Sequence, residues 1–298
     1  MKFDYIKMGR IALIIINYSV RIALAAVIVL WCIDQVKVWD DFQVFKQWND
    51  QYQFEGSGSY ESPYLINDAA DIIKFSDAVN NGNDFAGLYF RQTADIDLSE
   101  CSNFTPIGTV SSGNVFRGIY DGGNHRICNI TINGNLLDET YVGLFGRLSG
   151  VVMNLGIESG HISGKYVGSV AYTDGSTDAM IINCYNRANL NAIDRCGGIA
   201  ENFSSGRILG CANYGHLAGN VTCQIVSYNC SVLSGCCNLS RSHDNMYPID
   251  TFTGMIFDCY VGTDDVTELN SRIDDYQDFI IYPGDPPIDV TPWAPEEP

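Results

Sequence analysis

Four stretches lie almost end to end in this chain: YVGLFGRLSGVVMNLGIESGHISG at 141–164, YVGSVAYTDGSTDAMIINCYNRANLNA at 166–192, RCGGIAENFSSGRILGCANYGHLAG at 195–219 and NVTCQIVSYNCSVLSGCCNLS at 220–240. They align with one another. Gly143, Gly168, Gly197 and Cys223 correspond, and so do Leu155, Cys184, Cys211 and Cys236. A further unit ends in Phe257-Asp258-Cys259-Tyr260, so that Cys259 continues the series from Cys236. Each unit holds short apolar runs, such as 142–145 and 151–155, divided by Gly, Ser and Asn. Runs that short cannot bury an apolar face alone, so successive units must stack. Units of this length are too short for a propeller blade, which takes roughly 40 residues or more, and they lack leucine-rich spacing. The expectation is an all-β chain, a right-handed parallel β-helix whose equivalent side chains form ladders about 4.8 Å apart.

In such a stack Cys184, Cys211, Cys236 and Cys259 form an inward ladder. Side chains in parallel register keep their Cβ atoms about 4.8 Å apart, wider than the roughly 3.5–4.5 Å a disulfide prefers. These cysteines read first as small buried hydrophobes, with a ladder disulfide and metal binding as the rival readings. No CxxC occurs among the eleven cysteines, so zinc-ribbon and thioredoxin-like chemistry lacks its motif. His161 and His216 occupy like turn positions two coils apart, about 10 Å, too far to share one metal ion.

Upstream, residues 54–132 read as a front cap. The apolar spacing in DAADIIKFSDAVNNG predicts a helix, with Asn67 or Asp68 as N-cap and Gly82 as stop. Strand-like pieces follow in LYFRQ, DIDLS and FRGIYDGGNHRICNITI. A helix over the open first coil protects its unpaired edge.

The chain begins differently. The run 11–33 is apolar and long enough to cross a bilayer as a helix, with Arg21 near its middle. A central Arg costs about 2.5–3.5 kcal/mol, while the Ile, Leu and Val residues around it contribute about 4–8 kcal/mol together, so insertion is favoured. Lys2, Lys7 and Arg10 precede the run and Asp34 follows it. The positive-inside rule then puts the N-terminus in the cytoplasm and the rest outside. A cleaved signal peptide with a secreted product is the alternative; the bulky Trp31-Cys32-Ile33 speaks for an uncleaved anchor. The expected organisation is a signal-anchor at 1–33, a juxtamembrane helical linker at 34–54, the capped β-helix at 55–262 and an acidic, Pro-rich tail at 263–298.

The motifs P-Y-L-I at 63–66, Y-F-R-Q-T-A-D-I-D-L at 89–98, P-I-G at 106–108, F-R-G-I-Y-D-G-G-N-H-R-I at 116–127 and Y-V-G-L-F-G at 141–146 resemble bacterial surface proteins carrying the GLUG motif. The resemblance spans about 54–260 and decays after Cys211, where Cys223 and Gln224 replace expected glycines. It implies an adhesin-like exported protein, or the non-catalytic region of an immunoglobulin-A-cleaving metallopeptidase. No catalytic residue carries over with it.

The formal net charge of -18 disfavours nucleic acid as a partner. The partners expected are the membrane and, outside the cell, a host or cell-wall glycan or protein. Enzymes of polysaccharides also use β-helices, so carboxylate pairs need weighing. Asp95 and Asp97 alternate on one strand face, and Asp121 and His125 lie in D-G-G-N-H. Such groups suit acid and base work on a glycosidic bond, but D-G-G-N is also turn chemistry. There is no H-E-x-x-H and no G-x-S-x-G. No cofactor is implied; Asp264, Asp265, Asp274, Asp275 and Asp278 offer at most loose Ca²⁺ binding, without EF-hand spacing. Seven N-x-[ST] sequons, among them Asn103, Asn129 and Asn202, read as Asn-rich turns. The reading is a non-catalytic surface module for adhesion, ligand binding or spacing; the alternative is a lyase or glycoside hydrolase working in the β-helix groove.

Overall fold

In the computed structural model of the chain the described residues are 52–137, 139–173 and 179–227, with short strands beyond at 230–234, 237–238, 246–247, 255–257 and 260–261. The apolar run at 11–33, nearly all of the 34–54 linker, the 263–298 tail, Cys236 and Cys259 lie outside the described residues. No helix among the described residues is long and apolar enough to cross a membrane. The chain divides into two compact units, Met1–Gln53 and Phe54–Pro298; the fold described here is that of the second.

The second unit is a parallel β-solenoid of about five turns. Tyr89, Ile119, Val151, Met180 and Arg207 stand beside one another on successive coils, and the series continues to Val232 and Met255. The numbering shows that each coil from Val151 onward uses less chain than the one before. Every pairing named is parallel, because a chain that coils about one axis returns to each face in the same direction.

One coil shows how the faces arise. Val151–Ile157 forms two of them, Gly160–Gly168 two more, and Ala171–Tyr172 a short fifth. Between residues 153 and 155 the path turns at Asn154, whose φ is 53°. Its equivalents one and two coils on are Asn183 (φ 52°) and Gly210 (φ 56°), the residue types that tolerate the left-handed region. In the second coil this corner is longer: D-G-G-N sits inside strand Ile119–Cys128 as a register shift, with Gly123 and Asn124 both at φ 59°. The turn expected there is thus a corner of the coil and not a hairpin.

The repeat equivalences follow the pairing. Val142 pairs with Val167, which sets Gly143 beside Gly168, and Gly197 pairs with both Gly168 and Cys223. A Cβ on Gly143 would stand 2.5 Å from the Gly168 carbonyl oxygen, so the tight approach of successive coils demands glycine here. Tyr185, Ala212, Cys237 and Tyr260 pair in series, one position beyond the four ladder cysteines. Cys184 and Cys211 are fully buried, and Cys101, Cys128, Cys184, Cys196, Cys211 and Cys223 form no disulfide.

The cap is a helix, Ala69–Asn80. Asp68 caps it, its side chain accepting from the Asp71 N–H at 3.0 Å, and the chain leaves it at Asn81 and Gly82, the latter at φ 99°. The helix buries Ile72, Phe75, Ala78 and Val79. Phe75 plugs the open end of the coil, with ring centroids 4.4 Å from Phe90, 5.2 Å from Phe116 and 5.8 Å from Tyr120. Ser76 Oγ donates to the Thr105 carbonyl at 2.7 Å and Asn80 Nδ2 to that of Pro106 at 2.9 Å, which fastens the helix.

Candidate functional site

The carboxylates singled out in the sequence gather at the corner of the first two coils. Ile96 pairs with Ile127, so Asp95 and Asp97 flank a buried isoleucine on an exposed face. Asp95 Oδ1 accepts from the Arg126 N–H at 2.8 Å and lies 3.5 Å from His125 Nδ1. Asp97 accepts from Asn129 Nδ2 and the Ser99 N–H, each at 2.9 Å, and from Ser99 Oγ at 3.1 Å. Those bonds, Asn129 first, hold its carboxyl below the usual carboxylate range. That is the wrong direction for a general acid, which needs a raised pKa.

Asp121 is differently employed. It is buried, with Arg91 Nη2 at 2.9 Å and Nε at 3.0 Å, the Gly123 N–H at 2.9 Å and Asn154 Nδ2 at 3.0 Å. All of these donors serve the corner itself. The structure brings exposed Asp95 and half-buried His125 together as one pair; Asp97 and Asp121 each have their own separate donors.

Asp121 also begins a feature that the sequence reading missed. Asn154 donates to it and accepts from Asn183 Nδ2 at 2.8 Å, a polar ladder inside the corner. A second ladder fills the next corner: Asn186 Nδ2 donates to Asn213 Oδ1 at 2.8 Å, and Asn213 Nδ2 to Gln224 Oε1 at 2.9 Å. Asn186 and Asn213 are fully buried, and their oxygens also accept the N–H of Ala188 and Gly215 two positions on. The signal was an Asn two positions after three of the four ladder cysteines, in C-Y-N at 184–186, C-A-N at 211–213 and C-C-N at 236–238.

Two clusters of charge and aromatic groups lie on the outer faces. Tyr185 sits over Gly156, where a Cβ would stand 2.5 Å from its ring, and donates to Glu158 Oε2 at 2.5 Å. Arg187 reaches Glu158 at 3.5 Å and covers Tyr214 at 5.0 Å. Burial and that carboxylate together push the Tyr185 hydroxyl far above its ordinary range.

Further round, Tyr172 stacks on Tyr141 at 4.0 Å, Tyr141 on Tyr166 at 4.8 Å, and the Arg195 guanidinium over Tyr166 at 4.4 Å. Arg195 Nε and Nη2 each lie 2.8 Å from Glu201 Oε1. Burial pushes the Glu201 carboxyl up, with Arg195 opposing it. In this stack the ring faces are spent on one another and on Arg195. A sugar-stacking platform needs them open.

Among the described residues no group of three or more His, Cys, Asp or Glu is placed to hold a metal ion. His161 stands beside Asn189, and Leu190, the next residue, beside Leu217, so one coil separates the two histidine positions.

No family model matches the chain. Halomucin of Haloquadratum walsbyi is 32% identical over 158 residues, which make up 49% of this chain and 2% of halomucin. A protein of Evansella cellulosilytica, provisionally named a Gly-rich membrane protein, is 32% identical over 115 residues, 36% of this chain and 12% of that protein. The chain thus spans a small part of the length of either relative. A crystal structure from Bacteroides ovatus, described as an immunoglobulin A1 protease, aligns with a TM-score of 0.42 at 17% identity over 75% of this chain and 90% of that one. A likeness at that level carries no argument here.

Proposed function

We propose that this chain is a non-catalytic surface protein: a right-handed solenoid held at the cell membrane by the 11–33 run, with its coils outside, acting in adhesion, ligand binding or as a spacer. The observation that carries this reading is the employment of the candidate catalytic groups. Asp121 is enclosed by Arg91, Gly123 and Asn154, and Asp97 is held ionised by Asn129 and Ser99. The names of the two relatives, a halomucin and a membrane protein, support the surface location. The GLUG resemblance of 63–146 points the same way. Right-handedness follows from the hand that parallel crossovers take in nearly all cases.

The test uses the full chain in detergent, applied to glycan and extracellular-matrix arrays and, in parallel, to polysaccharide digests. Retention of a glycan or matrix protein without release of reducing ends or unsaturated sugars is the expected result. Turnover that disappears in Asp95→Asn or His125→Ala would establish the enzyme reading instead. Protease shaving of intact cells checks display: peptides from 55–262 are released, and those from 1–10 are retained. Release of neither sinks the surface location.

A further inference from the structure

The strands Ile130–Asn133, Gly160–Gly168, Asn189–Gly197 and Leu217–Ala218 lie side by side on successive coils. Ile132, Ile162, Leu190 and Leu217 pair in series and are buried, so they face the core. Strand alternation turns their neighbours outward in two columns. Thr131, His161 and Asn189 pair in one column, and the register carries it on to His216. Asn133, Ser163 and Asn191 pair in the other, which ends at Ala218. No Lys, Arg, Asp or Glu stands in either column, in a chain whose net charge is -18. His161, Asn189, Asn191 and His216 are exposed, and their side chains have no hydrogen-bond partner among the described residues. Ser163 Oγ reaches only the Ile132 carbonyl, at 3.4 Å.

Elsewhere the outer groups are engaged. Asp95 and Asp97 accept from Arg126 and Asn129, and Glu158 holds Tyr185 and Arg187. Arg195 closes the tyrosine stack, and strand Val151–Ile157 is buried on both its sides. The two columns keep their hydrogen-bonding capacity for a partner, and their chemistry selects it. A protein interface is anchored by aromatic or other bulky side chains that fill pockets, and the columns have none to offer. An anionic polymer calls for Lys or Arg, and a cationic one for Asp or Glu. An uncharged polysaccharide presents hydroxyls, each a donor and an acceptor, and an Asn amide answers them with two donors and one acceptor. The columns repeat every ~4.8 Å along the axis and stand ~6.7 Å apart across it. A glycan chain laid along the axis therefore meets like groups at each coil. Resting on the reading of this chain as a ligand-binding surface module, we propose that this face binds an uncharged polysaccharide running along the solenoid axis. Thr131, His161 and Asn189 hold one side of it, and Asn133, Ser163 and Asn191 the other. Binding is by hydrogen bonds without ring stacking, so it is weak at each coil and accumulates over several.

The test titrates the full chain in detergent with soluble laminarin, mannan and galactan, and with alginate as an anionic counterpart, by calorimetry. At least one of the uncharged polymers should bind, and more tightly than alginate. The double variant Asn189→Ala, Asn191→Ala should weaken that binding by about tenfold, the equivalent of two modest hydrogen bonds. Both residues are exposed, so thermal melting should not change. The pair His161→Ala, Ser163→Ala, one coil away, should give a similar loss, and it decides the matter if the first variant melts early. An uncharged polymer that binds both variants as well as the unaltered chain overturns this face and leaves a binding role elsewhere on the surface. Binding of alginate alone has the same consequence. If no polymer binds, the face is overturned while the spacer role stands. Release of reducing ends from any of the four overturns the non-catalytic reading itself.

Discussion

The two ends of the described solenoid are filled in different ways. Under the cap helix the interior is aromatic: Phe75, Phe85, Phe90, Phe116, Tyr120 and Phe145 meet ring to ring. Three coils on, the interior is Ile181, Cys184, Ala200, Ile208 and Cys211, with buried Asn186 and Asn213 between them. The coils shorten in parallel, since less chain separates Met180 from Arg207, and Arg207 from Val232, than separates Ile119 from Val151. A longer coil encloses a wider section and needs larger rings to reach native packing density, whereas a shorter one is filled by small side chains. The first end must also be plugged, because no coil precedes it to satisfy its edge. Bulk holds one end, and repetition holds the other.

The sharpest way to break this contrast is Phe75→Ala. It empties a site bounded by Phe90, Phe116 and Tyr120, and a Phe-to-Ala change in a core costs about 3–5 kcal/mol. Urea unfolding of the full chain should show that loss. Cys184→Ser, in the repeated half, should cost under about 1.5 kcal/mol, because the new hydroxyl meets the Ile182 carbonyl where the thiol now lies at 3.2 Å. Equal losses would mean that the two ends are held alike.

Next in size is the corner ladder. Asn183→Ala removes the amide that Asn154 accepts and puts a Cβ-only residue at φ 52°. Leaving a buried acceptor unsatisfied costs about 1–3 kcal/mol, and the left-handed backbone adds to it. Asn183→Gly keeps the backbone conformation and loses only the amide, so it should recover part of the loss in thermal melts. If Gly is as damaging as Ala, the conformation at this corner contributes nothing.

Smaller again is Gly156→Ala, whose new methyl would meet the Tyr185 ring at 2.5 Å. Overpacking of this kind costs about 1–3 kcal/mol. The displaced Tyr185 should lose its Glu158 partner, and its hydroxyl should titrate nearer pH 10 in an absorbance titration. Tyr185→Ala in the same chain should relieve the clash, and a strictly additive double variant would refute the contact.

These residues also mark how much was legible in advance. The recurring glycines and cysteines disclosed the stacking and its register, because each coil must present the same close approach at the same place. The cap helix was legible from its own apolar spacing and the Asp68 cap. The asparagine ladders were not, because an Asn in one unit reads as a turn until a second Asn is known to lie beside it. The burial of strand Val151–Ile157 on both its sides escaped for a related reason. Strand Val151–Ile157 is buried at every position, and a strand buried on both sides loses the alternation that tells inside from outside. At the corner, D-I-D and D-G-G-N-H were visible as carboxylate chemistry, but their donors, Arg91, Asn129 and Asn154, come from neighbouring coils and are remote in sequence.

The smallest effect distinguishes the two ends by the sign of their pH response. Asp97, near the cap, has its carboxyl held down, chiefly by Asn129. Its bonds stabilise the fold above pH 3.8, and that contribution fades as pH falls through the lowered value. Glu201, among the later coils, has its carboxyl pushed up by burial against the pull of Arg195. Its protonated form is favoured in the fold, so its contribution is complete below pH 4.5 and is lost as pH rises through the raised value. Melting temperatures of Asp97→Asn and Glu201→Gln, each taken as a difference from the unaltered chain across the acid-to-neutral range, should therefore trend oppositely. The Asp97→Asn difference should grow more negative from the acid limit up to about pH 4 and then level off. The Glu201→Gln difference should move upward with pH from about 4.5. Parallel trends would show that the carboxylates at the two ends are held by the same kind of force, and the contrast between bulk and repetition would not extend to their charges.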